Sequence, residues 1–333
     1  MNLKDIKYSV LDLAPVIEGS TPAESFKHTM DLAQHAEKWG YHRYWVAEHH
    51  NMEGVASSAT SVLIGYIAGG TSTIRVGSGG IMLPNHAPLV IAEQFGTLES
   101  MYPERIDLGL GRAPGTDHMT ARALRRENRS TGDDFPDQVE ELRSYLKPSL
   151  SRRPVRAIPG EGLNIPIWLL GSSTLSARLA GSLGLPFAFA SHFSPDNTLP
   201  AMQAYRRYFQ PSEVLQEPYA MVGANVIAAD TDEKAAYLAT SMQQQFLNLV
   251  RNVPGKLSPP VESMDGLWNP YEKAALEQQL GSSIAGNPDT VREKIASFME
   301  ETGANEIMIN GSVYSHEDRL RSFELIADLF QNS

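Results

Sequence analysis

Cysteine is absent from the 333 residues, which rules out a disulfide framework and any thiolate metal site. The opening MNLKDIKYSV lacks a charged segment followed by an apolar one, so no secretory signal is read there and the expected location is cytoplasmic. Long hydrophobic runs are missing too. The stretches Val62-Leu63-Ile64, Ile81-Met82-Leu83 and Leu185–Ala190 are strand-sized and far short of a bilayer span. Positive charge is scarce, with 28 Lys and Arg against 39 Asp and Glu and a formal net charge of −11. Binding to a phosphate backbone rests on clustered cations, so the expected partner is a small molecule, with no nucleic acid and no membrane. The short basic runs Arg122-Ala123-Leu124-Arg125-Arg126 and Arg152-Arg153 read as solvated surface.

What is present is an ordinary globular composition, 42% hydrophobic and 20% charged, with no Pro/Gly/Ser linker or composition break to divide it. One domain, residues 1–333, is expected. Short β-rich segments alternate with helical ones. The candidate strands are Tyr8–Leu13, Tyr44–Ala47, Ile74–Leu83, Ile106–Leu110, Ile167–Leu170, Phe187–Ala190, Ala220–Ala228 and Glu306–Ile309. Candidate helices run over Ala23–Gly40, Pro88–Met101, Leu175–Leu183, Asp232–Val250, Pro288–Glu301 and His316–Phe330, several opening on capping residues. Strand-then-helix repetition of this kind predicts an α/β fold, a (β/α)8 TIM barrel. The intervals Ala113–Pro159 and Arg251–Ser283, after strands 4 and 7, are overlong and predict lids or small extra elements.

A parallel barrel does its chemistry at the C-terminal ends of its strands, and that rim can be collected from the sequence. It comprises Asp12, Glu48, His49, His50, Asn85, His86, Arg112, Ser172, Ser173, Ser191, His192 and Asn310. The strand Arg43–Ala47 running directly into Glu48-His49-His50 is the densest part of it. Gly109–Gly115 combines small residues with the fork of Arg112 and suits an anion, or a plain βα turn. Gly171–Ser176 places hydroxyls and free N–H groups at a helix start, which suits a phosphate or a simple Ser cap.

These segments taken together resemble the bacterial luciferase-like flavin monooxygenase family over nearly the whole chain. The matching stretches are YHRYWVAEHH at 41–50, VGSGGIMLP at 76–84, ERIDLGLGR at 104–112, WLLGSS at 168–173, GLP at 184–186, GNP at 286–288 and EIMING at 306–311. The resemblance implies a TIM barrel, usually a homodimer, that uses reduced FMN delivered by a separate NAD(P)H:flavin reductase. It implies reaction with O2 through a C4a-hydroperoxyflavin and oxygenation of a small organic substrate. By position it implies phosphate contacts from Arg112, Ser173 and Ser176 with the backbone at Leu175, and a non-prolyl cis peptide at Gly79-Gly80 under the flavin ring. His49 stands in the place of the family's active-site His as acid/base, and Glu48 precedes it. His50, His86 and His192 are further acid/base candidates, or structurally bonded imidazoles. Light emission is not implied. Arg251–Ser283 has no family counterpart and leaves the substrate open, while Met264 and Trp268 within it read as core packing. Three rival readings stand beside this one: a metal-dependent hydrolase using Glu48, His49, His86 and His192, a deazaflavin-dependent hydride-transfer enzyme, and a non-catalytic flavin-binding protein.

Overall fold

The computed structural model describes residues 2–124, 134–148 and 154–332; Arg125, Arg126, Arg152 and Arg153 of the basic runs lie outside them. Its strands are β1 Lys7–Asp12, β2 Arg43–Val46, β3 Arg75–Ser78, β4 Ile81–Met82, β5 Ile106–Gly111, β6 Ile167–Gly171, β7 Phe187–Phe189, β8 Ala220–Ala228, β9 Ile284–Gly286 and β10 Glu306–Asn310. Every pairing is parallel, and β10 bonds to both β1 and β8, so the sheet closes. The ring is β1-β2-β3-β5-β6-β7-β8-β10, a (β/α)8 barrel. Strand β4 adds to β5, and β9 adds to the long C-terminal half of β8.

Strands with both faces covered read as apolar runs, and Ala220–Ala228 is buried at all nine positions. Helices wrap the outside through amphipathic faces. In Phe135–Leu146 the buried Phe135, Val139, Leu142 and Leu146 recur at helical spacing. Capping is explicit at Thr21, Thr231, Asn287 and Ser315, whose side chains accept from the first-turn N–H groups of the helices they precede.

The barrel interior is filled in layers. At its N-terminal end Arg43 bonds Asp107 at 2.7 Å and Glu306 at 3.0 Å. Arg75 reaches Asp107 at 2.6 Å, and Ser9 and Tyr219 donate to Glu306 at 2.5 and 3.1 Å. Above lies an apolar layer of Leu11, Trp45, Trp168, Met221 and Met308, with the two indoles edge-to-face at 5.3 Å. This plug leaves the C-terminal mouth as the open end.

Two expectations are corrected. Ile74–Leu83 is not one strand: β3 stops at Ser78, the Gly79-Gly80 peptide is cis, β4 follows, and the chain turns through a 3-10 segment at Leu83–Asn85. Between the pairs Gly77↔Asp107 and Ile81↔Leu110 four steps on one strand oppose three on the other, a bulge that two glycines permit. Nor are the long intervals free lids throughout. Phe135–Leu146 is an ordinary barrel helix against Pro88–Met101, while 125–133 and 149–153 lie outside the described residues. In the second interval Leu257 exchanges backbone bonds of 2.9 Å with Val16 and Glu18, Met264 is buried, and Pro270–Gln279 packs on Asp232–Val250. It is a packed strap across the C-terminal face. Helices Thr60–Gly70, His118–Leu124 and Thr198–Tyr208 were not expected.

Candidate functional site

The mouth of the barrel has two halves of different chemistry. One is a cradle of small residues. Along β3 and β5 the inward positions are Gly77, Gly79, Gly109 and Gly111, so this wall is backbone. Where β5 ends, Arg112 is exposed and has no hydrogen-bond or ion-pair partner among the described residues. Where β6 ends, a Cβ on Gly171 would collide with that of Ser176 and lie 2.8 Å from its Oγ. Glycine there lets the helix Thr174–Ser182 start hard against the strand. Its cap, Ser173, is extended (φ −148, ψ 166) and its hydroxyl makes no capping bond. The first N–H groups of that helix are therefore unclaimed by side chains. Leu175 stands 57% exposed and Ser176 is buried beside it. An uncapped helix start with hydroxyls and an unpaired guanidinium suits a phosphate group.

The other half centres on Glu48, whose side chain is 1% exposed. Its Oε1 accepts from Nε2 of His50 and of His86 at 2.9 Å each and from Asn85 Nδ2 at 3.2 Å. Its Oε2 accepts from the backbone N–H of Met82 at 2.9 Å. Burial would raise this carboxyl, but the donors from His50, His86 and Met82 outweigh it and hold it down at about 2. Glu48 is thus bonded to His50 and His86, and not to His49. The bulge that ends β3 delivers Met82, Asn85 and His86 to it.

His49 sits between these halves, its backbone N–H bonded to Ser57 at 3.0 Å. Burial pushes its imidazole below the usual range, against an opposing pull from the Gly115 backbone and Glu48. Across the mouth, burial and the neighbouring His49 lower His192 to about 4. Among the described residues its Nδ1 makes no hydrogen bond of good geometry, and a Cβ on Gly223 would sit 2.5 Å from that atom. The same wall holds Ser191, whose buried Oγ also lacks a partner among the described residues. It also holds Asn225, which donates to the His192 carbonyl at 2.8 Å and accepts from Asn310 at 2.8 Å. Ser172 faces this region through its carbonyl, which accepts from Ser194 at 3.1 Å.

One rim candidate leaves the site. Asp12 points outward into the helix layer, bonded to Arg319 Nη2 at 2.8 Å, Thr29 Oγ1 at 2.7 Å and Tyr44 OH at 2.5 Å, and is structural. Asn225 went unnoticed inside an apolar strand, where a lone amide at an inward position was the available signal. The four residues of the hydrolase reading are not assembled as ligands. Among the described residues no group of three or more His, Asp or Glu is placed to hold a metal ion.

A family profile described as luciferase-like monooxygenase matches residues 6–306. A luciferase-like monooxygenase of Escherichia coli (strain K12) is 55% identical over 329 residues, covering 99% of this chain and 98% of that protein. The N-acetyl-S-alkylcysteine monooxygenase of Bacillus subtilis (strain 168) is 33% identical over 332 residues, covering 97% and 98%. The crystal structure of apo-MsnO8 superposes with a TM-score of 0.88 at 36% identity, over 98% of this chain and 99% of that one. The fold is shared with the FMN complex of the oxygenating constituent of 3,6-diketocamphane monooxygenase from Pseudomonas putida (TM-score 0.73, 18% identity, 99% of each chain). It is shared as well with an F420-dependent secondary alcohol dehydrogenase (TM-score 0.70, 15% identity, 99% of each chain). With its profile match and these full-length relatives, the chain belongs to the luciferase-like monooxygenase family.

Proposed function

We propose that the chain is the oxygenating component of a two-component, FMN-dependent monooxygenase acting on a small organic substrate. The observation that carries this reading is Arg112, without a partner among the described residues, at the end of β5 next to the strand β6 that runs into an uncapped helix start, beside the side-chain-free Gly79-Gly80 wall. Arg112, the hydroxyls of Ser173 and Ser176 and the backbone at Leu175 would hold the phosphate. Gly79 and Gly80 would leave a surface on which a flat ring can lie. Reduced FMN, supplied by a separate NAD(P)H:flavin reductase, provides the electrons that let one oxygen atom of O2 enter the substrate while the other leaves as water. His49, whose imidazole burial shifts towards its uncharged form, suits proton transfer at the mouth. The Trp45 and Trp168 layer closes the barrel below and the 251–283 strap covers part of the mouth, both of which keep water from the reacting centre.

A deazaflavin also carries phosphate, so the cradle suits either cofactor; relatives named as monooxygenases at 55% and 33% identity favour a reaction with O2, which suits FMN. We place the protein in the cytoplasm as a homodimer, which would cover Val62 and Tyr66, 72% and 47% exposed on a helix without a charged residue.

Anaerobic titration with reduced FMN and with reduced deazaflavin, each against wild type and Arg112→Ala, tests the reading. Tighter binding of FMN, weakened about tenfold or more by the loss of a charge-assisted contact, is expected, together with O2 consumption when a reductase is added. Preference for the deazaflavin, with substrate turnover that consumes no O2, overturns it.

A further inference from the structure

The bonds around Glu48 determine where two imidazoles carry their protons. A carboxylate only accepts, so Nε2 of His50 and Nε2 of His86, both 2.9 Å from Oε1, must each present N–H. Whenever either ring is uncharged, its lone pair is then on Nδ1. Neither Nδ1 has a hydrogen-bond partner among the described residues, and the two side chains are 15% and 28% exposed, so no described residue claims either lone pair at the rim. Glu48 itself is saturated. Besides the two imidazoles it accepts from Asn85 and from the Met82 N–H, which leaves its oxygens no free approach for a substrate.

We propose that Glu48 is a positioning residue holding two carboxylate–imidazole dyads, and that Nδ1 of His50 and of His86 are proton acceptors of the site. The proton bookkeeping is simple. A bound ligand loses a proton from N–H or O–H to Nδ1, the ring becomes an imidazolium, and its second N–H stays on the Glu48 carboxylate, which stabilises the new charge. The partly exposed ring then releases the proton to water. A carboxylate behind a histidine does this in acyl-transfer enzymes; here one carboxylate serves two rings from separate loops, after β2 and after β4. The acceptor role rests on the oxidoreductase reading of the mouth, whereas the tautomers do not.

The first measurement is therefore made without flavin. Long-range nitrogen–proton correlation spectra of the full-length protein, labelled at histidine nitrogen, distinguish the two tautomers directly. Both His50 and His86 are expected with the proton on Nε2. In Glu48→Leu the acceptor shared by both Nε2–H groups is gone, so both rings should lose the slowly exchanging, downfield Nε2–H signal that a bond to a buried carboxylate gives. A wild-type ring with its uncharged-form proton on Nδ1, or a Glu48→Leu spectrum with both Nε2–H signals unchanged, overturns the positioning role.

The second measurement compares His50→Gln and His86→Gln for reduced-FMN affinity and for O2 consumption by the loaded protein. General-base loss costs about 10²–10⁴ in rate, so at least a tenfold fall in one of them is expected while FMN affinity stays within about twofold. Unchanged rates in both overturn the acceptor role even if the tautomers are as stated. Absence of FMN binding in wild type instead refutes the cofactor reading and leaves the tautomer result standing.

Discussion

Replacing Arg43 by Met empties the centre of the ionic layer at the base of the barrel. Among the described residues Arg43 is the one cation bonded to Glu306, through Nε at 3.0 and 3.3 Å to the two carboxylate oxygens. Asp107 would keep Arg75 at 2.6 Å and the Trp45 indole N–H at 3.1 Å, but Glu306 would keep only the hydroxyls of Ser9 and Tyr219. Glu306 is fully buried. Breaking a buried pair from one side costs about 3–5 kcal/mol, because a charge is left without compensation. Met also loses the stacking of the guanidinium on Trp168, whose ring lies 4.9 Å away, worth ~1 kcal/mol. Adding Glu306→Gln removes the orphaned charge and should restore about half of the loss, although each single change is destabilising. Urea midpoints of wild type, both single variants and the double variant, followed by far-ultraviolet circular dichroism, measure this coupling. A double variant no more stable than Arg43→Met would show that Glu306 is not the group left stranded, and the account of the layer would fail.

Acid sensitivity should come from histidines that are buried uncharged. Burial lowers His42 and His192 to about 4 and also depresses His316, so below pH ~6.5 the unfolded chain binds more protons than the folded one. Stability is then full above that pH and falls towards pH 4, by about 3 kcal/mol for His192 and less for the partly exposed His42. Urea midpoints at pH 7.5, 6 and 5 should show a shallower decline in His192→Gln, and parallel profiles would contradict it. At the cradle, Gly171→Ala must push Ser176 away from the strand end, so FMN affinity should fall about tenfold, or ~1.4 kcal/mol, while riboflavin, which lacks the phosphate, changes little. Equal losses for both ligands in fluorescence titrations would mean that the substitution acts on the ring site instead.

Much of the fold was legible because parallel strands covered on both faces are short apolar runs. Ala220–Ala228 was read to its ends, and Pro88–Met101 and Asp232–Val250 were bounded correctly as helices. Thr60–Gly70 was missed because Val62-Leu63-Ile64 has strand length and Gly65, Gly69 and Gly70 are poor helix formers; tertiary packing of Leu63, Ile64 and Ile67 overrides that. The break of Ile74–Leu83 was half visible, since the resemblance put a cis peptide at Gly79-Gly80 and the structure has one there. Its consequence for His86 and Asn85 was not visible. At the site, strand parity already separates Asp12 from the mouth: Leu11 belongs to the interior layer, so its neighbour must face out. The pairing of Glu48 with His50 and His86 was hidden, because residues two apart on a loop and a third 36 positions later meet only through the bulge.

The ring is closed by its first and last strands, with Ser9 reaching Glu306 and Arg319 reaching Asp12 across 297 and 307 positions. A chain emerging from the ribosome can therefore make most of its strands and helices, yet it lacks the seam partner of β1 until the final few dozen residues are out. Contacts of such sequence separation are slow to form and leave open strand edges while they wait. Loss of the segment from β10 onward would open the barrel along β1 and β8 together. The C-terminal tenth of the protein, which supplies few residues to the mouth, thus decides whether there is a mouth at all.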